Sequence, residues 1–221
     1  SSAAFFMINK LNLNNNGAAS TIDKSFGFPG TEKLGFAGPN AEINMTGTSD
    51  VTVAVPIMAF GNLTVNVAAG AGKLRLGPNP ASDGIFYQSL DKVTINNLSA
   101  NPVELTGSSD FPGTLDITAG QVNLLVTAGT VPSTLTVNIA AGATLHFGGN
   151  VGTIGALTGA GTLNLGTGAI AMTQLFDQDW SGSITGGANS HGTASPFTPS
   201  VAQLFTNGRD TNWTWRGNNS Y

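Results

Sequence analysis

The stretch LTVNVAAGAGKLRLG at residues 63–77 returns, little changed, as LTVNIAAGATLHFGG at residues 135–149. Both copies open by alternating apolar and polar residues, with Leu63, Val65 and Val67 set against Thr64 and Asn66. Successive side chains of a strand point to opposite faces, so this alternation predicts a strand with one buried side. Glycine follows at Gly70, Gly72 and Gly142, where the chain has to turn sharply. Two near-identical phrases so far apart in the chain predict two equivalent places in one stacked structure.

Seven runs of this kind line up, around Ile22, Ile43, Leu63, Val93, Leu115, Leu135 and Ile154, evenly spaced apart from one longer interval between Leu63 and Val93. The long interval holds GPNPASDG (77–84), whose Pro, Gly and Asn content reads as an inserted loop. Without it the period is about 20 residues, in the range of solenoids. Helical patterning is confined to PSVAQLFTNG (199–208). The expected fold is all-β, a parallel β-helix of about 20 residues per rung. An antiparallel β-sandwich is the alternative, since short strands with frequent turns also build that class.

Rungs of such a coil stack about 4.8 Å apart. One column of the alignment reads Asn66, Asn96, Thr118, Asn138, placed for amides to hydrogen-bond up the stack. The competing explanation is asparagine's preference for turns. The chain divides into an N-terminal arm or cap (1–20), the solenoid (21–187) and a C-terminal tail or cap (188–221).

Composition narrows the function. Charged residues make up 9% of the chain, against about 25% in ordinary domains. Hydrophobic residues make up 40%, so the low charge does not signal disorder. Eight basic and twelve acidic residues give a net charge of −4, with no basic cluster to neutralise phosphates or anionic lipid. Neither nucleic acid binding nor membrane insertion is therefore expected, and no apolar run approaches the length of a spanning helix, about 18 residues or more. The chain has no cysteine and starts Ser1-Ser2-Ala3-Ala4, which reads as the end left by a signal peptidase. The expected location is secreted, extracellular or on the cell surface, with a processed N-terminus.

Parallel coils also carry polysaccharide-cleaving sites, which need converging carboxylates. The candidates are Glu104, Asp110, Asp116, Asp177 and Asp179. Asp116 aligns with Thr64, Thr94 and Thr136, which makes it an isolated, solvated carboxylate rather than half of a pair. Asp177 and Asp179 share a strand face and are candidates for calcium. With only His146 and His191 and no cysteine, a zinc site lacks ligands. No Gly-x-Ser-x-Gly occurs, and the Gly159-Ala160-Gly161 and Gly166-Thr167-Gly168 strings lack the following helix of a phosphate loop. No enzyme, cofactor or metal is expected. Asn44, Asn62, Asn97, Asn212 and Asn218 head Asn-x-Ser/Thr triplets, a number that arises by chance in so Asn- and Thr-rich a chain.

Residues 154–187, IGALTGAGTLNLGTGAIAMTQLFDQDWSGSITGG, carry a Leu-x-Gly-x-Gly-x-Leu-x-Leu phrase at Leu157–Leu165 and a Ser-Gly-x-Ile phrase at Ser181–Ile184. This segment resembles the strand repeats of bacterial autotransporter passenger domains and related surface proteins. The resemblance implies a secreted β-helix used as a surface fibre or adhesin. It is confined to this segment, and no outer-membrane barrel follows the repeats in this sequence.

Open strand edges at the ends of a solenoid are either capped or used. At one end Ala4, Phe5, Phe6, Met7 and Ile8 form an apolar stretch that serves as first rung, as cap, or as an arm adding a strand to a neighbour. At the other, Trp213, Trp215 and Tyr221 offer a plug, a cap, or, with Arg209 and Arg216, a platform for a sugar ring. The leading expectation is a structural subunit that self-assembles as a homo-polymer into a filament, pilus-like fibre or surface layer through these residues. A monomeric adhesin or glycan-binding module is the alternative, and a polysaccharide-active enzyme comes third.

Overall fold

The structure is a computed structural model that describes residues 5–23, 33–77, 92–106, 113–125, 134–148, 151–166, 169–172, 178–186 and 213–215. Among these residues every paired strand is parallel and there is no helix. The chain forms a parallel β-helix, and the antiparallel sandwich is not formed. No helix among the described residues is long and apolar enough to cross a membrane. The helical pattern at 199–208, and all of the expected loop at 77–84 beyond Gly77, lie outside the described residues.

Each turn of the coil lays strands on up to three faces. The first face holds nine strands, in the order β2 (Lys10–Leu13), β5 (Ala41–Met45), β8 (Leu63–Val67), β10 (Lys92–Asn97), β12 (Thr114–Ala119), β14 (Thr136–Ile139), β17 (Ala156–Gly159), β20 (Gln178–Trp180) and β22 (Trp213–Trp215). The second holds eight, from β3 (Ser20–Ile22) through β6 (Val51–Val53), β9 (Leu74–Leu76), β11 (Val103–Thr106), β13 (Gln121–Leu125), β15 (Thr144–His146) and β18 (Thr162–Asn164) to β21 (Ser183–Thr185). The third face is made by β1 (Phe5–Ile8), β4 (Lys33–Ala37) and β7 (Ile57–Phe60), and farther along by β16 (Val151–Ile154) and β19 (Ala169–Met172).

Alternation builds the core. Leu11, Ile43, Val65, Ile95, Ile117 and Ile139 stand in one inward column, and all but the first are fully buried. Each such side chain removed from water contributes about 1.5–3 kcal/mol. Branched side chains suit a pleated wall because few rotamers are lost there.

The register corrects the sequence alignment in four places. Ile43 pairs with Val65, not Leu63, whose partner is Ala41. Ile22 lies on the second face, opposite Val53, and the partner of Ile43 is Leu11. The first turn of the coil therefore begins ahead of Ile22, with β1. Successive turns carry the inward column from Leu11 to Ile43, Val65, Ile95, Ile117, Ile139, Gly159 and Trp180, the first and third turns being the longest. Leu115 pairs with Val137, not Leu135, a slip of two positions that keeps the same side inward. Ile154 belongs to the third face, and Leu157 takes the place assigned to it.

Candidate functional site: the two ends of the coil and its polar wall

The first turn has an open side. Among the described residues, strands β1, β2 and β3 are each the first of their sheet, paired on one edge only. Phe6 stands in register with Leu34 and then Ile57, which are 7% and 0% exposed, yet Phe6 itself is 71% exposed. It occupies a core column at the turn where the column ends. Met7 beside it is 47% exposed, while Ile8, Leu11 and Ile22 are partly buried against the core. Phe5 pairs with Lys33 through the backbone, and Ala4 lies outside the described residues.

The far end is closed differently. Trp180 is fully buried and the largest fully buried side chain among the described residues. It stacks over Gly159 in the inward column, and Gly182 leaves room for its ring, since a Cβ there would crowd the indole. Its Nε1–H has no acceptor among the described residues. Beyond it β22 continues the nine-stranded sheet in parallel, Trp213 opposite Gln178 and Trp215 opposite Trp180. The structure thus sets Phe6–Ile8 and Trp213–Trp215 at opposite ends of the coil; Tyr221 lies outside the described residues. Trp180 was missed in sequence reading because a lone tryptophan carries no periodicity; the glycine opposite it was the available signal.

Between the ends runs a polar wall. On the first face one outward column reads Asn12, Asn44, Asn66, Asn96. Asn44 Nδ2 donates to Asn12 Oδ1 at 3.3 Å, and Asn66 Nδ2 donates to Asn44 Oδ1 at 2.9 Å. An amide ladder therefore exists; of the expected column Asn66 and Asn96 keep their places, and Thr118 and Asn138 do not. Asn96 pairs with Ala119 across a bulge that leaves Thr118 as the extra residue, and Asn138 falls in the neighbouring column, opposite Asp116. That column reads Lys10, Glu42, Thr64, Thr94, Asp116, Asn138, Thr158.

Asp116 is not the solvated carboxylate expected. It is 7% exposed, forms an ion pair with Lys92 Nζ, and accepts from Asn138 Nδ2 at 2.7 Å. On the second face Glu104, also 7% exposed, accepts from Arg75 Nε at 2.7 Å and pairs with Arg75 Nη2 at 2.6 Å and Lys73 Nζ at 3.5 Å. The two buried carboxylates sit on different sheets, each neutralised by its own cations, and do not converge. Glu42 is held below the usual carboxylate range by the amide of Asn44, with Lys10 assisting. Half-buried His146 pairs with Asn123 and Asn164. No group of three or more His, Cys, Asp or Glu that could hold a metal occurs among the described residues. Asp110, Asp177 and His191, and the side chain of Asp179, lie outside them. Asn97 is 1% exposed and spends its amide on the carbonyls of Asn101 and Gln121, so its triplet offers nothing to a sugar.

Comparisons of the chain with family models, with curated proteins and with solved structures find no match.

Proposed function

We propose that the chain is a structural subunit that associates end to end with copies of itself, building a fibre or surface layer outside the cell. One observation carries the reading: the core column of the third face ends at Phe6, which stands 71% exposed beside a strand edge unpaired among the described residues. A solenoid has such edges only at its ends, where a further rung continues both the sheet and the core. The low charge fits close packing of copies, because little repulsion opposes it. The likeness of residues 154–187 to passenger-domain repeats fits placement at a cell surface.

Sedimentation velocity and negative-stain microscopy on the intact chain and on Phe6→Asp test this. Covering the exposed part of the ring, of order 100 Å² or more, contributes about 3 kcal/mol, about a hundredfold in association constant. The intact chain is expected to form fibres that Phe6→Asp does not. A wild-type chain that stays monomeric at high concentration would refute the reading, and a glycan-binding monomer would then lead.

A further inference from the structure

We infer that copies join head to tail, the edge of β2 that no described strand covers in one copy meeting the edge of β22 that no described strand covers in the next, and not head to head. This rests on the end-to-end association proposed above and specifies its joint.

The first ground is sheet direction. All nine strands of the first face run parallel, so β2 and β22 present opposite edges of one sheet. Only a β22 edge continues it in parallel at β2; two β2 edges brought together by a two-fold axis pair antiparallel. Continued register sets Thr214 beside Lys10 and Trp215 beside Leu11, because these pairs belong to the same two columns traced through Thr158 and Asp179, and through Gly159 and Trp180.

The second ground is the sense of the amide ladder. Asn44 Nδ2 donates both to Asn12 Oδ1 and to Glu42 Oε2, the latter at 3.0 Å. An ionised carboxylate only accepts, so Glu42 fixes which way the Asn44 amide faces. Asn66 then donates to Asn44, and Asn12 is left with its carbonyl turned into the coil and its amino group turned out of the first turn. Deeper in the coil the sense is the same, Asn138 donating to Asp116 and Thr158 to Asn138 at 3.1 Å. Two first turns face to face would set donor against donor in a register that pairs Asn12 with Asn12, or ammonium against ammonium in one that pairs Lys10 with Lys10. An open contact of unlike ends gives an unbranched polar fibre, whereas a two-fold joint closes at a dimer.

The chain has no cysteine, so engineered thiols report cleanly. Neighbouring parallel strands stand about 4.8 Å apart, within the Cα range of about 4.4–6.8 Å that a disulfide spans. Lys10→Cys and Thr214→Cys are oxidised separately, mixed, and combined in one chain, then run on a non-reducing gel beside sedimentation of the same samples. The expected result is no crosslink from either alone, dimers from the mixture, and a ladder of multimers from the double variant. Dimers from Lys10→Cys alone overturn the head-to-tail joint while leaving self-association standing. Association without any crosslink does the same. Absence of association in every sample overturns both.

Discussion

Gly159→Ala separates two costs that glycine avoids at once. Gly159 has φ +105°, and an alanine Cβ there would overlap the carbonyl oxygen of Ile139 and lie 2.9 Å from Asn138 Oδ1 on the rung below. Gly142 has φ +81° with nothing within 4 Å of its would-be Cβ. Both substitutions force an L-residue into left-handed backbone, at about 1–2 kcal/mol. Only Gly159→Ala must also push neighbouring rungs apart, where Ile139 O accepts from Ala160 N at 3.0 Å and Gly161 N at 2.9 Å. Opening that joint leaves buried polar groups unpaired, at about 1–3 kcal/mol each. Gly159→Ala is therefore expected to lose about 4–6 kcal/mol and Gly142→Ala about 1–2 kcal/mol. That difference is a large share of a domain's total of about 5–15 kcal/mol. Urea unfolding followed by circular dichroism, at one fixed protein concentration because association itself stabilises, gives both midpoints. Equal shifts for the two variants would refute the claim that close approach of rungs, and not backbone conformation alone, demands glycine at 159.

Asn97→Ala should cost about 3 kcal/mol in the same assay, since it strands the carbonyls of Asn101 and Gln121 and the Ser99 N–H, whereas Asn66→Ala, half-buried on the outer wall, should cost less than about 1 kcal/mol. Glu42 supplies a pH signature. Its folded pKa lies below its ordinary value, so its contribution is present above the ordinary value and is lost as pH falls through the lowered one. Thermal melts across the acid range should show that limb flattened in Glu42→Gln, and an unchanged profile would count against the Asn44–Glu42–Lys10 contacts.

What the sequence made legible was the alternation. Leu63, Val65 and Val67 announced an inward face, and the echo of that phrase at Leu135 announced stacking; both depend on local steric rules that single residues carry. Register was less legible because turn lengths set it. The turns after Leu13 and Val67 differ in length from those after Ile139, and the bulge at Thr118 shifts one column without changing the neighbouring residues. Hence Asn138 was placed with the asparagines when it stands over Asp116. Asp116 itself looked solvated because its cation, Lys92, stands at a different position of the preceding rung, opposite Thr114. The glycines of Leu157–Leu165 were legible as not belonging to a phosphate loop, but their role emerged only from geometry: Gly159 and Gly161 are where one rung rides directly on the backbone of another.

The distribution of charge and of exposed apolar groups favours growth along the coil axis over side-by-side packing. The walls hold their charges as neutralised clusters, Lys10 with Glu42, Lys73 and Arg75 with Glu104, and Lys92 with Asp116. A second coil laid against either wall would strip water from these groups, at several kcal/mol per ion, without a new partner for them. Phe60, Leu98 and Leu125 are exposed too, but each lies at or just past the end of a strand on a different face, and scattered apolar residues drive no association. At the first turn the balance reverses. Phe6 and Met7 stand together on β1, whose other edge is unpaired among the described residues, with partly buried Ile8, Leu11 and Ile22 behind them. A rung added there covers apolar surface and extends a hydrogen-bonded ladder.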